Sequence, residues 1–102
     1  MKEYDIFIPL RYNDGKPIDP RLTLSLQQRL LEKFGGLTFF PQVNDGFWTS
    51  GGVTFRDEIV IYRVLSSKAR LARRFLSKLK DELKKELDQE EILIIERDVK
   101  TL

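Results

Sequence analysis

Gly51-Gly52-Val53-Thr54-Phe55-Arg56-Asp57-Glu58-Ile59-Val60-Ile61-Tyr62-Arg63-Val64-Leu65 is the stretch on which the architecture turns. Two adjacent glycines supply the positive φ angles of a tight hairpin. The residues after them form a long strand region, interrupted by the charged triplet Arg56-Asp57-Glu58 and strongest from Ile59 to Leu65. A hairpin turn needs a strand before it, and Phe47-Trp48-Thr49-Ser50 supplies one. Further upstream, Leu37-Thr38-Phe39-Phe40 reads as a short strand ended or bulged at Pro41, with Asn44-Asp45-Gly46 as a turn.

Helices flank this hairpin on both sides. After it, Ser66 or Ser67 caps a helix whose apolar stripe is Ala72, Leu76, Leu79, Leu83 and Leu87, broadened by Leu71 and Phe75. Before it, Asp19 as N-cap and Pro20 at the first helical position start another helix. In that helix Leu22, Leu26, Leu30 and Phe34 recur every four residues, Leu24 and Leu31 widen the stripe, and Gly35 stops it. The outermost segments are strands. Tyr4 to Leu10 alternates, with Pro9 suited to a strand end or an edge, and Asn13-Asp14-Gly15 with Lys16-Pro17 makes the loop that follows. Glu91-Ile92-Leu93-Ile94-Ile95-Glu96 closes the chain's pattern, apolar on both faces.

Strand, helix, strand hairpin, helix, strand predicts one α+β domain over residues 1–102. The expected architecture is a ferredoxin-like βαββαβ plait, a four-stranded antiparallel sheet with two helices on one face. That plan leaves the second sheet face bare. Yet Ile92/Ile94 and Leu93/Ile95 put apolar residues on both sides of one strand, and Ile59/Ile61 and Val60/Val64 do so on another. A bare apolar face expects a cover. The expected cover is a second copy in a two-fold homodimer, with loops or the Trp48 hairpin as the alternative.

Composition narrows the chemistry. With 41% apolar and 11% aromatic residues, the chain can build one real core. There is no cysteine and no histidine. Disulfides, thiol chemistry, Ser/His and Cys/His relays, zinc sites of Cys and His, haem held through imidazole and imidazole pH switches are therefore excluded. Acid–base work by Lys or Tyr, oxygen-ligand metal chemistry, or binding alone remain, and no cofactor is expected. Met1 to Asp5 runs directly into a strand, and no stretch approaches the ~20 apolar residues of a bilayer span. A cytoplasmic location without membrane contact is the expectation.

The net charge is only +2, but its distribution is uneven. Arg63, Lys68, Arg70, Arg73, Arg74, Lys78 and Lys80 fall between residues 59 and 80 with no acid among them, and acids dominate from Asp81 to Asp98. A helix dipole favours the reverse order, each misplaced exposed charge costing ~0.3–1 kcal/mol at low salt. Arg70, Arg73, Arg74 and Lys78 are thus the candidate site for a phosphate- or carboxylate-bearing ligand or partner. The plainer explanation is a solvated helix face with Lys78–Glu82 and Asp81–Lys85 pairs. A nucleic acid is the alternative anion, with Phe47, Trp48 or Tyr62 as stacking platforms, although the RNA-binding octapeptide of this fold is absent.

Two other constellations stand out. Phe47 and Trp48, with Phe39, Phe40 and Phe55, are candidate pocket walls, to which Arg11, Tyr12 or Tyr62 would add polar groups; core packing is the simpler account. Asp5, Asp14, Asp57 and Glu58 are the acids from which a metal-dependent phosphodiesterase would draw, but Asp57-Glu58 reads more simply as a polar break and Asp14 as an Asx turn. No metal site is expected.

Phe34-Gly35-Gly36-Leu37-Thr38, then Gly46-Phe47-Trp48, then Asp57-Glu58 resembles the FGG-x-T, G-x-W and DE succession of a group of small uncharacterised bacterial proteins. The likeness spans residues 34–62. It implies a bacterial origin and the same plait fold, and it implies no activity. The leading expectation is a non-enzymatic, dimeric binding or interaction module that meets an anion at the start of its second helix. A nucleic-acid-binding protein and an enzyme acting on a small molecule near Trp48 are the alternatives.

Overall fold

The computed structural model describes all 102 residues. Its elements are β1 (Lys2–Pro9), α1 (Pro20–Phe34), β2 (Thr38–Ser50), β3 (Val53–Ser66), α2 (Ala69–Glu86) and β4 (Ile94–Asp98). The four strands form one antiparallel sheet in the order β2-β3-β1-β4. That order is consistent with the split βαβ plan. No helix is long and apolar enough to cross a membrane.

Register divides the sheet into two faces. Tyr4, Ile6 and Ile8 of β1 stand opposite Val64, Tyr62 and Val60 of β3, and all six are buried. They form one core with Leu26 and Leu30 of α1, with Ala72, Leu76, Leu79 and Leu83 of α2, and with Leu87 and Ile92 beyond it. Each fully buried aliphatic side chain of this kind contributes ~1.5–3 kcal/mol relative to exposure. The odd-numbered residues of β1 and β3 point the other way, because side chains alternate along a strand. No helix covers that second face.

Several local expectations change. The α1 stripe is narrower than its leucine content suggests: Leu24 and Leu31 are exposed. They flank Gln27, whose amide reaches the Tyr62 hydroxyl at 3.3 Å, so the turn between them is occupied by a polar contact. The α2 N-cap is Lys68, without a side-chain capping bond. Ser66 instead accepts the Lys68 amide through its Oγ at 3.0 Å and shapes the approach to the helix. Glu91–Leu93 precede β4 rather than belonging to it, tied to β1 by the Phe7 amide to the Leu93 carbonyl at 3.0 Å.

Asn44-Asp45-Gly46 is not a turn. β2 runs through it, with Asp45 opposite Glu58 and Gly46 opposite Asp57. The irregularity lies just before, where Phe40 pairs with Ile61 but Asn44 with Ile59, leaving Pro41 to Val43 against Val60 alone. Pro41, which has no N–H to give a ladder, sits in this bulge. Beyond it the hairpin outruns the sheet. β1 pairs with β3 only from Ile59 onward, so Asn44–Ser50 and Val53–Glu58 project as a two-stranded arm. Gly51 (φ 57°) and Gly52 (φ 77°) close its tip in the left-handed conformations such a two-residue turn requires.

Candidate functional site

The arm places its aromatic residues by register. A two-residue turn at Gly51-Gly52 pairs Trp48 with Phe55, and their rings stack with centroids 4.6 Å apart. Both lie on the sheet side that has no helix, in line with Asp57, Ile59 and Phe7. The indole Nε1 donates to Asp57 Oδ2 at 2.6 Å, which fixes the plane of the ring. Each residue is nonetheless 42% exposed, so aromatic surface faces solvent. On the opposite side of the arm Phe47 is 68% exposed beside Arg56, which pairs with Asp45 at 2.8 Å.

Two loops meet the base of the arm. The chain leaving β1 carries Arg11, Tyr12 and Asn13, and the chain leaving α2 carries Gln89 to Leu93. Asn13 Nδ2 donates to the Asp88 carbonyl at 2.7 Å and Gln89 Nε2 to Asn13 Oδ1 at 3.3 Å, so the loops are tied together. Between arm and loops lies an open cleft of about 760 Å³. Phe7, Ile59 and Leu93 supply apolar surface there, Trp48 and Phe55 one wall, and Tyr12, Asn13 and charged side chains the polar remainder.

The cleft is acidic. Asp57, Glu58, Glu90 and Glu91 face two arginines. Both arginines are already paired, Arg11 with Glu58 at 3.4 Å and Arg56 with Asp45 at 2.8 Å. An arrangement of exposed rings among carboxylates suits a flat ligand that brings hydroxyl or amine donors, or a positive charge. It opposes phosphate groups.

The basic residues of α2 sit elsewhere and divide. Arg70, Arg74 and Lys78, four residues apart in turn, form an exposed stripe and make no ion pair within the chain. Arg73 turns toward β4 and grips Glu96 with two bonds of 2.7 and 2.8 Å. The buried Tyr4 hydroxyl donates to the same carboxylate at 2.8 Å. Arg73 and Tyr4 together hold the Glu96 carboxyl down at about 2. Burial and the Glu96 carboxylate push the Tyr4 phenol up to about 12. The Lys78–Glu82 pair does not form, because Glu82 bonds Arg29 of α1 at 2.6 Å.

Of the side chains expected near a pocket, Trp48 and Arg11 come together at the cleft, and Phe47 borders it from the other side of the arm. Tyr62 does not join them: it is fully buried under α1, stacked on Phe39 at 4.7 Å. The four acids weighed as metal ligands are dispersed. Asp5 is held by Arg63 and Arg97, Asp14 accepts the Lys16 amide at 2.9 Å, Asp57 holds Trp48 and Glu58 holds Arg11. No group of three or more potential ligands converges anywhere. Glu90, Glu91 and Asn13 were not picked out by sequence, since only the fold brings the two loops side by side. Phe55 as the partner of Trp48 was legible by counting outward from the glycine turn.

No protein-family model and no curated protein matches the chain. Among solved structures, a phage SAM lyase in complex with S-methyl-5'-thioadenosine is similar, with a TM-score of 0.65. The match covers 95% of this chain and 80% of that one at 16% sequence identity. A likeness at that identity is one of fold.

Proposed function

We propose that this domain is a ferredoxin-like binding module whose ligand seat is the arm cleft, and that its ligand is a neutral or cationic nucleoside-type molecule. The observation that carries this reading is the exposed Trp48–Phe55 pair, held in plane by Asp57, in a cleft where acids outnumber bases. Stacking a base on such a ring contributes ~1–3 kcal/mol. Ribose hydroxyls donating to Asp57 or Glu58 would add bonds to a charged acceptor, worth ~1.5–3 kcal/mol each. A phosphorylated ligand would meet like charge.

The structural neighbour supports the choice of probe. The ligand named in its complex, S-methyl-5'-thioadenosine, is an uncharged nucleoside with a thioether in place of a phosphate. Calorimetric titration with that nucleoside is the test, with adenosine 5'-monophosphate as the comparison. Binding of the first, weaker binding of the second, and weakening of both in Phe55→Ala are expected. Preference for the monophosphate, or no binding of either, would contradict the reading.

An anionic partner at the start of α2 is a second reading, favoured by the exposed and unpaired stripe Arg70, Arg74 and Lys78. If that partner is a nucleic acid, affinity falls steeply with salt and Arg74→Glu weakens it further. Flat salt dependence would end it.

A further inference from the structure

We infer that the helix-free sheet face binds a second copy of this chain, and that the second copy roofs the arm cleft. The face carries an apolar strip beside a paired charge cluster. Phe40, Ile61, Ile59, Phe7 and Ile95 fall on it by register, none of them fully buried. Past Asp57, whose carboxylate the Trp48 indole holds, the same side continues into Trp48 and Phe55 on the arm.

The one buried charge of the molecule lies in this face, on the side away from the core. Asp5 is 3% exposed. Arg63 donates to it through Nε at 2.8 Å and Nη2 at 3.1 Å, and Arg97 through Nη1 at 2.8 Å. Glu3 joins the cluster, 3.0 Å from Arg63. Arg63 in turn lies over the Phe40 ring, 4.9 Å from its centroid. Two acids and two bases leave the patch neutral and its carboxylates already paired, so covering it leaves no orphaned charge. Neutrality also selects the occupant. Across the sheet two identical copies would not repel, whereas a nucleic acid would find no attractive field there.

Area agrees. Four strands at ~4.8 Å spacing and eight residues at ~3.3 Å make a face of ~500 Å² in projection. The arm, six or seven residues of two-stranded ribbon, adds ~200 Å². Side-chain relief raises the accessible area above the projection, which brings it to the ~800 Å² per partner of a standard interface. A two-fold arrangement uses the same patch on both copies. Because Trp48, Phe55 and Asp57 share this side, the facing copy closes the open side of the cleft. The roofing half of this inference rests on the cleft being the ligand seat, whereas the sheet pairing does not.

Sedimentation velocity of the ligand-free protein over a range of concentrations tests the pairing, alongside native mass spectrometry. A dimer is expected, dissociated by Ile61→Lys and by Leu65→Lys, with far-ultraviolet circular dichroism unchanged. Both positions are solvent-accessible in the single chain, so the variants do not disturb the core. Leu24→Glu, on the exposed side of α1, should leave the dimer intact. A monomer, bare or carrying a nucleic acid or another protein, would overturn the inference; so would a dimer that Ile61→Lys and Leu65→Lys leave intact. A dimer that ignores S-methyl-5'-thioadenosine would leave the pairing standing and remove the cleft reading.

Discussion

Replacing Asp5 by Asn keeps the shape of the side chain and removes the charge that two guanidinium groups share. The three bonds that Asp5 accepts, at 2.8, 3.1 and 2.8 Å, would lose their ionic character, and an amide donor would face arginine donors. Breaking one partner of a fully buried pair costs ~3–5 kcal/mol. Exposed pairs are worth only ~0.2–1 kcal/mol. This cluster lies between the two, since the carboxylate is buried while the Arg63 and Arg97 side chains are 35% and 45% exposed. Water reaching the arginines places the expected loss at ~1.5–2 kcal/mol, or ~6–16 °C in Tm for a domain of this size.

Urea unfolding at matched protein concentration measures it, concentration being fixed because self-association feeds into apparent stability. The pH dependence supplies an internal check. Arg63 and Arg97 hold the Asp5 carboxyl below its ordinary value against the opposing effect of burial. The unfolded chain therefore binds the proton first, and the stabilisation is present above the ordinary carboxylate pKa and lost as pH falls through the lowered one. The gap between wild type and Asp5→Asn should thus narrow on acidification. A gap under ~0.5 kcal/mol at neutral pH, or one unchanged down to the acid limit, would refute the reasoning.

The Tyr4–Glu96–Arg73 cluster predicts opposite behaviour at the two ends of the pH scale. Tyr4, raised to about 12, stabilises the fold fully below the ordinary tyrosine pKa of 10.0 and loses that contribution as pH rises through 12; a phenolate absorbance titration should show a component there that Tyr4→Phe removes. Glu96, lowered to about 2, contributes above 4.5 and ceases to as pH falls through 2, so in Glu96→Gln the component near 12 should move down. At the end of α2, Asp88 holds a left-handed φ of 51° in a position that glycine fills without strain, its own amide donating to the Lys85 carbonyl at 3.3 Å. Asp88→Gly is expected to raise stability by ~0.5–1 kcal/mol in urea unfolding, and a loss would show that the aspartate is held there for another reason.

Much of the fold was legible because its signals are local. The Leu76-Leu79-Leu83 stripe, the Asp19-Pro20 start, the Gly35 stop and the Gly51-Gly52 turn each act within a few residues, and each stands where the sequence put it. Asn44-Asp45-Gly46 misled because its turn preference is local too, while the pairing that overrides it comes from Asp57 and Glu58 across the ribbon. Leu24 and Leu31 read as core because period alone does not say how wide the covered stripe is, and the Gln27–Tyr62 contact narrows it. The candidate site was half visible. Trp48 and Arg11 drew attention by residue type, whereas the cleft between them depends on β3 outrunning β1 and on two distant loops meeting at Asn13 and Gln89. Arg70, Arg73, Arg74 and Lys78 form one cluster in sequence, but helical phase sends Arg73 to Glu96 and leaves Arg70 and Arg74 in solvent.

Trp48 is the single tryptophan of the chain, so its emission reports on the cleft without any label. The most direct measurement is therefore fluorescence of the wild-type protein titrated with S-methyl-5'-thioadenosine at constant ionic strength. A saturable change in Trp48 emission is expected, weakened in both Phe55→Ala and Asp57→Asn. Emission unchanged up to the solubility limit of the nucleoside would contradict it.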